Sequence, residues 1–337
     1  GAALAAAGVV PAWAQDKPKL RFAAVFSDKD IRAEMMKVFA KEIEADFAVE
    51  TFLGGSLFKQ GTELVALQRD NLELGNIDGI SGVPPAQFKR LGGRAGITTN
   101  QGSSWRFTEL AMNCYEGSHS RGHPVLKDQR FRQAVNWAID RDKIVDVALQ
   151  GYATPGTSLI VPQSMFHWEP PAGQAYGFEP EKARRLLDEA GYPDTNGDGT
   201  RETEDGKAIK LRLYVTADSP QNQTAAKLIV GWLRDVGIDT TLQVMDDAAL
   251  LDAQYAYEGT RYAPDWDMFI WGWSQDVDPS FITGIHLPAQ IEGWSDCLWT
   301  DEQYTRLYEQ QSTDLDPDSR AAKLAKMQEI FYEGGAY

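Results

Sequence analysis

Residues 209–244 read IKLRLYVTADSPQNQTAAKLIVGWLRDVGIDTTLQV, and this stretch decides the fold class. Apolar residues alternate over 209–215 and again over 238–244, which is the period-two pattern of a half-buried strand. Between the two strands, apolar residues recur at helical spacing and stop before a glycine: Leu228, Ile229, Trp232, Leu233, Val236 and Gly237. A strand, a helix and a second strand in this order predict a right-handed β-α-β crossover with parallel strands.

Strand and helix patterns also alternate on both sides of this stretch. Residues 20–26 and 49–53 predict strands, and residues 31–43 and 61–71 predict helices, so the chain opens as β-α-β-α. Further along, the apolar spacing predicts a strand over 266–273 and helices over these segments: 131–139, 144–148, 180–190, 301–312 and 317–332. Such alternation is typical of an α/β fold.

The composition is that of a folded, acidic protein. The chain has 337 residues, enough for about two domains of ~150 residues each. Its 43% hydrophobic and 11% aromatic residues can form a sizeable core, which disordered chains lack. The 49 acidic and 33 basic side chains give a formal charge of −16, and no cluster of Lys and Arg is present to bind phosphates. The sequence therefore predicts no nucleic-acid partner.

Residues 1–14 predict the remnant of a secretory signal peptide. They are small and apolar, and they end in Ala12-Trp13-Ala14, an A-x-A cleavage site before Gln15. The first 15 residues are uncharged, which is fewer than the ~20 that span a bilayer. A core helix is the alternative, and Pro11 disfavours it because proline breaks a helix interior. We therefore expect an exported protein.

Enzyme motifs are missing from the sequence. The chain lacks G-x-S-x-G, H-E-x-x-H, the phosphate loop G-x-x-x-x-G-K-[ST] and the dinucleotide fingerprint. His119 and His123 flank Gly122, which predicts a loop rather than a metal-binding helix face. We predict no enzyme activity. A hydrolase with paired carboxylates is the least favoured alternative, because nothing places two carboxylates opposite each other.

The chain has two cysteines, Cys114 and Cys297. An oxidising compartment permits a disulfide between them if their Cα atoms lie within ~7 Å of each other. Two free, partly buried thiols are the alternative. His286 is the one evident partner for Cys297, and the sequence alone does not make the two a catalytic pair.

Residues 194–205, DTNGDGTRETED, carry oxygen ligands at the spacing of a calcium-binding loop. Positions one, three, five, seven and twelve are Asp194, Asn196, Asp198, Thr200 and Asp205. Gly199 at position six suits the sharp turn, whereas Asp205 replaces the usual bidentate Glu, for which Glu202 compensates. An acidic, glycine-rich turn between a helix and a strand is an equal alternative. A bound Ca²⁺ would be structural.

Residues 266–279, WDMFIWGWSQDVDP, predict a buried strand that runs into an acidic loop. In open α/β sheets ligands bind at the carboxyl ends of strands, where this loop lies. Alternation places Trp271 and Trp273 on one face, where they can stack on a ligand, and Asp276 can pair with a ligand cation. Core packing of the tryptophans beside a solvated turn is an equal alternative.

Residues 78–337 resemble the family 5 extracellular solute-binding proteins, the peptide and nickel receptors of ABC importers. The matching stretches are DGI at 78–80, VPP at 83–85, GHP at 122–124, LKD at 126–128, FRQA at 131–134, WAIDR at 137–141 and residues 271–279. The resemblance implies a type II periplasmic-binding-protein-like fold of mixed sheets flanked by helices, with incomplete lobes. It assigns 78–127 to the crossover or hinge segment and 128–337 to a truncated C-terminal lobe.

The same resemblance implies a function and a site. It predicts a monomeric periplasmic receptor for a small peptide or similar solute, which needs no cofactor and delivers its ligand to an ABC-type membrane permease. In peptide-binding members an Asp after the Gly-Trp of this strand pairs with the ligand's α-amino group, and Asp276 occupies that place. One residue fewer separates Asp276 from Asp278-Pro279 than in the dipeptide receptors.

Residues 19–77 resemble a second family, the TRAP-transporter receptors of the dicarboxylate-binding type. The matching stretches are LRF at 20–22, DIRAE at 30–34, GGSLF at 54–58, GTEL at 61–64 and LQ at 67–68. The Arg that grips carboxylates in that family has no counterpart here. The alternatives to a peptide receptor are therefore a TRAP-type carboxylate receptor fragment and a non-functional junction of two receptor fragments.

Overall fold

The computed structural model describes Lys17 and residues 19–23, 31–52 and 83–337. The predicted signal remnant at 1–14, the helix predicted over 61–71 and the seam predicted at residues 77 and 78 lie outside the described residues. The chain divides into two compact units, Gly1–Thr99 and Asn100–Tyr337.

The first unit contains the predicted β-α-β opening. Strand β1 is Lys19–Ala23, helix α1 is Ile31–Glu42 and strand β2 is Ala48–Phe52. The two strands pair in parallel, with Lys19 opposite Ala48 and Ala23 opposite Phe52. This confirms the first three elements of the predicted β-α-β-α opening. A short helix, α2 (Pro85–Leu91), follows in the same unit.

The second unit is built on a four-stranded mixed sheet. Its strands are β3 (Arg106–Met112), β4 (Lys210–Thr216), β5 (Asp239–Met245) and β8 (Met268–Ser274), and a small hairpin, β6 (Tyr257–Glu258) and β7 (Arg261–Tyr262), precedes β8. The order across the sheet is β3-β8-β4-β5. Strand β4 is parallel to β5 and β8, which confirms the crossover, and β3 is antiparallel to β8 at the edge.

Helices cover the sheet. They are α3 (Gln129–Ala138), α4 (Arg141–Ala148), α5 (Pro180–Glu189), α6 (Pro220–Asp235), α7 (Asp247–Gln254), α8 (Ser280–Gly284), α9 (Glu302–Ser312) and α10 (Pro317–Gly334). Single 3₁₀ turns occupy Pro124–Lys127 and Pro288–Gln290. Asp128 and Asp301 cap α3 and α9, where a carboxylate accepts the first free backbone N–H groups. Within the described part of the chain, every helix is too short or too polar to cross a membrane.

Two hydrophobic cores lie on opposite faces of the sheet, because successive side chains of a strand point to opposite sides. Met268 and Ile270 of β8 belong to the first core with Phe131 of α3 and Leu233 of α6. Phe269 of β8 belongs to the second core, together with these residues: Trp266, Tyr304, Phe331 and Cys297. The predicted α/β class, with a mixed sheet flanked by helices, is confirmed.

Candidate functional site

The site predicted from the sequence lies at the carboxyl end of β8. Trp271 and Trp273 are half-buried and pack against the second core, opposite Glu109 and Phe107 of β3. Gly272 stands between them, where a Cβ atom would lie only 2.8 Å from the carbonyl oxygen of Phe107. The close approach of β3 therefore leaves no room for a side chain between the two tryptophans.

Trp273 is part of an exposed aromatic group that the sequence did not reveal. Its ring centroid lies 5.9 Å from that of Phe281 and 6.4 Å from that of Trp294, and the Phe281 and Trp294 centroids are 6.1 Å apart. Trp294 is 59% exposed and Phe281 42% exposed. We call Trp273, Phe281 and Trp294 the aromatic platform. Beside it, Trp271 lines a small pocket of about 90 Å³ with Trp273 and Trp294.

Gln275 fixes the start of the loop that follows β8. Its backbone N–H donates to the carbonyl of Trp105 at 2.6 Å. Its buried side chain accepts from the N–H of Val161 at 3.0 Å and donates to the carbonyl of Leu159 at 2.6 Å. Three hydrogen bonds therefore hold the residue immediately before Asp276 in place.

Asp276 and Asp278 have different surroundings although one residue separates them. Asp278 forms an ion pair with Arg320 at 2.8 Å and accepts from the N–H of Ser280 at 2.9 Å. The hydrogen bond from the Arg320 guanidinium holds the pKa of Asp278 well below its usual range. Asp276 is exposed, and no hydrogen bond or ion pair joins its side chain to another described residue. Its carboxylate is therefore available to a ligand.

A buried carboxylate, that of Asp296, fixes the indole ring of Trp273. Asp296 accepts from Nε1–H of Trp273 at 2.6 Å and from the hydroxyl of Tyr337 at 2.6 Å. Glu109 is buried beside Asp296, and burial raises the pKa of both carboxyl groups, with the neighbouring Asp296 charge adding to the shift for Glu109. The sequence did not predict this pair of carboxyl groups, because Glu109 of β3 and Asp296 are far apart in the chain.

A larger cavity of the second unit lies elsewhere, and the three predicted ligand-binding residues do not line it. It has a volume of about 910 Å³ and runs along β3. Side chains of β3 belong to both cores. At one end, the N–H of Met112 donates to the carbonyl of Ala336 at 3.1 Å. Charged and polar side chains, among them Glu109, Arg141 and Tyr176, line this cavity, whereas the end of β8 combines exposed aromatic rings with an available carboxylate. The exposed carboxylate and aromatic rings make the end of β8 the candidate site for a ligand that carries a cationic group and apolar groups.

The loop predicted to bind calcium folds around its own acidic side chains. Both oxygens of Asp194 accept backbone N–H groups, from Gly197 at 2.8 Å and from Gly199 at 3.0 Å. Both glycines have a positive φ, 76° and 90°, which other residues rarely adopt. Carboxylate oxygens of Asp194, Asp198 and Glu202 lie within 4.8 Å of one another.

The other residues of the calcium prediction take different positions. Asp205 forms an ion pair with Lys207 at 2.6 Å and is not part of the carboxylate group. Asn196 donates to Glu202 at 2.8 Å, and Thr200 donates its N–H to Asp198 at 2.7 Å. The structure therefore brings Glu202, not Asp205, to the other two carboxylates.

Both cysteines are buried free thiols. The N–H of Cys114 donates to the carbonyl of Cys297 at 2.9 Å, so the two backbones are adjacent. Sγ of Cys297 lies 3.6 Å from Nδ1 of His286. His123 caps the 3₁₀ turn Pro124–Lys127, and Nδ1 of His119 lies 3.7 Å from Oε2 of Glu258.

Comparison with known proteins identifies relatives over much of the chain. The family model described as bacterial extracellular solute-binding proteins, family 5 Middle, matches residues 66–286. The oligopeptide-binding protein AppA of Bacillus subtilis is 27% identical over 197 residues, which cover 57% of this chain and 34% of AppA. A putative ABC transporter peptide-binding protein of Brucella ovis is 32% identical over 159 residues, covering 47% of this chain and 27% of that protein.

Solved structures show the same fold. AppA from Bacillus subtilis in complex with a nonapeptide has a TM-score of 0.68 at 20% identity, over 81% of this chain and 51% of AppA. NikA from Brucella suis with Fe(III)-EDTA has a TM-score of 0.66 at 21% identity, over 86% of this chain and 54% of NikA. These likenesses confirm the type II periplasmic-binding-protein fold. The chain spans about a third of the curated relatives' length and half of the solved chains.

The family match overlaps the segment that resembles TRAP receptors. It begins at residue 66, inside residues 19–77. None of these comparisons supports the TRAP resemblance, which stays a prediction.

Proposed function

This chain belongs to family 5 of the bacterial extracellular solute-binding proteins, and from that membership we propose that it serves as an extracytoplasmic receptor for short peptides or related solutes. Its ligand would be passed to an ABC-type permease without covalent chemistry. The observation that carries the proposal is the exposed carboxylate of Asp276, three residues after Trp273 of the aromatic platform, in the loop that follows β8. The relatives named as peptide-binding proteins support the choice of ligand class.

The residues of the site divide the work of recognition. The Asp276 carboxylate pairs with the ligand's α-amino group through a charge-assisted hydrogen bond. The aromatic platform and Trp271 pack against the ligand's apolar groups, and the buried Asp296 keeps Trp273 in its orientation. Gln275 positions the loop. Closure of a second lobe over this surface would then bury the ligand.

A thermal-shift and calorimetry screen tests this function with three probe sets: short peptides, the same peptides acetylated at the amino terminus, and dicarboxylates. We expect free peptides to bind and acetylation to weaken binding by about 10- to 100-fold, since a hydrogen bond to a charged group contributes ~1.5–3 kcal/mol. Asp276→Asn should remove the difference between free and acetylated peptides. Asp142→Asn is the matched control, because Asp142 is an exposed carboxylate on α4.

Two outcomes would contradict the peptide receptor. Binding of dicarboxylates alone would favour a TRAP-type carboxylate receptor. Failure of every probe, together with a broad and weakly cooperative melt, would favour a junction of fragments without a competent cleft.

We also propose a structural Ca²⁺ at residues 194–202, held by carboxylates of Asp194, Asp198 and Glu202. Hard cations prefer several oxygen ligands, and these three side chains converge on a loop with two tight glycine turns. Calorimetry should show binding at millimolar Ca²⁺ or tighter, weakened at least tenfold by Asp198→Asn. Asp205→Asn should leave it unchanged. An absence of heat at millimolar Ca²⁺ would rule the site out.

A further inference from the structure

A second group of ligating side chains is buried deep behind the aromatic platform. His286 follows α8, and Asp296 and Cys297 precede α9. One ligand atom from each of the three lies within 4.8 Å of the others. His286 and Cys297 are fully buried, and Asp296 is 7% exposed. The His286 ring packs against Phe331, with ring centroids 4.3 Å apart. The cluster is therefore closed off by aromatic side chains.

Polar groups at this depth need compensation, and here part of it is lacking. Five buried side-chain atoms in the described part of the chain have no hydrogen-bond partner, and one of them is Nε2 of His286. An unpaired buried polar group is costly, and this nitrogen belongs to the same ring whose Nδ1 faces Cys297.

We propose that His286, Cys297 and Asp296 supply three of the four ligands of a tetrahedral zinc ion. Zinc bonds of about 2.3 Å to sulfur and 2.0–2.1 Å to nitrogen, at a tetrahedral angle, place the two ligand atoms about 3.5 Å apart. The observed separation between Sγ of Cys297 and Nδ1 of His286 is 3.6 Å. The thiol and the imidazole are in hydrogen-bond contact, and the same spacing fits two ligands of one tetrahedral ion.

The surroundings of Asp296 fit the role of an oriented ligand. Each of its oxygens accepts one hydrogen bond, from Trp273 or from Tyr337, and keeps a further lone pair. Outer hydrogen bonds of this kind commonly hold metal ligands in position.

The donor set selects the class of metal. Nitrogen, sulfur and carboxylate donors together suit Zn²⁺, whereas Ca²⁺ and Mg²⁺ prefer oxygen ligands alone. On binding, the Cys297 thiol loses its proton to solvent and its thiolate bonds the ion, so one Zn²⁺ replaces one proton. Because the site is buried, the ion is taken up as the chain folds. It would fix the segment that carries Trp294 and Asp296.

Refolding the full chain with zinc or cobalt tests the proposal. The chain is unfolded in denaturant, refolded with either metal and freed of excess by gel filtration. We expect about one equivalent of metal per chain and, with Co²⁺, the near-ultraviolet charge-transfer band of a thiolate–cobalt bond. Cys297→Ser should abolish that band and weaken zinc binding at least tenfold. Cys114→Ser, which removes the other buried thiol, should retain both.

Three results would overturn the proposal. One is a wild-type chain without the thiolate–cobalt band, a result that requires no variant to fold. Another is a band that survives Cys297→Ser and disappears in Cys114→Ser. The third is a loss of bound metal in Asp198→Asn, because the ion would then lie in the loop at 194–202. His286→Gln provides a second ligand variant, and circular dichroism verifies the fold of each.

Discussion

Asp276 and Asp278 illustrate how a single ion pair separates a structural carboxylate from an available one. Arg320 of α10 reaches Asp278, and the N–H of Ser280 at the start of α8 donates to the same side chain. Asp278 therefore links the loop after β8 to two helices, while Asp276 faces solvent. A sequence shows two acidic residues in one loop. Only the fold shows which of them Arg320 neutralises.

Asp278→Asn should reduce stability and leave peptide affinity within about twofold of the wild type. Since the Asp278 side chain is 55% exposed, we expect a loss of only about 0.5–1 kcal/mol in the free energy of unfolding. Urea unfolding at pH 7 measures this loss. A large fall in peptide affinity with unchanged stability would show that Asp278, not Asp276, meets the ligand.

The contribution of Asp278 should depend on pH in a predictable direction. Its pKa is lower in the folded chain than in the unfolded chain, so folding favours the ionised form. The stabilisation is therefore complete above the unfolded pKa of about 3.9 and is lost as the pH falls toward the folded pKa. The stability difference between wild type and Asp278→Asn should shrink when unfolding is measured from pH 6 down to pH 3. A difference that grows on acidification would contradict the ion pair.

The carboxyl end of β8 depends on bonds to a distant segment, and Gln275 makes them. Replacing it with alanine leaves the N–H of Val161 and the carbonyl of Leu159 without this partner in a buried site. Each such group costs ~1–3 kcal/mol, so Gln275→Ala should lower stability by about 2–4 kcal/mol. Gln163→Ala, on the same segment but exposed, is the control. Equal urea midpoints for the two variants would refute this role.

The aromatic platform should matter for binding more than for folding. Trp294 is 59% exposed, so truncation to alanine should change stability by less than about 0.5 kcal/mol. Peptide affinity should fall about 3- to 10-fold, because an aromatic pair contributes ~0.5–1.5 kcal/mol beyond its buried area. Calorimetry with an aromatic and an all-alanine peptide measures the effect. A loss equal for both peptides would argue against ring stacking.

The elements that sequence predicted well are those whose signal is local. Strand β4, helix α6 and strand β5 follow from spacings within 36 residues, and the structure confirms all three and their parallel register. Strand β3 was not predicted as a strand. Its two faces contact different cores, so apolar residues do not alternate with polar ones over Arg106–Met112.

The site was predictable only where it is continuous in the chain. Trp271, Trp273 and Asp276 stand in one stretch, and the resemblance assigned them. Phe281 and Trp294 reach the platform through the turns after β8, and Glu109 reaches Asp296 through strand pairing. The spacing of residues within one segment cannot predict contacts between segments that are distant in the chain. His286 was named from the sequence as a partner for Cys297. The distance of 3.6 Å between Sγ of Cys297 and Nδ1 of His286 could not be predicted from the sequence.

The whole chain divides at an exposed stretch, and limited proteolysis should expose that division. Residues 92–105 contain no helix or strand, are largely exposed and carry one trypsin site, Arg94. Asn100–Tyr337 contains both cores of the second unit, so it has the buried apolar area to resist digestion. Brief trypsin treatment should therefore leave a stable fragment that begins at Ala95 and extends to Tyr337. Mass spectrometry identifies the cut, and Arg94→Gln should slow it. Initial cleavage inside residues 129–334 would show that the two hydrophobic cores do not stabilise the second unit by themselves.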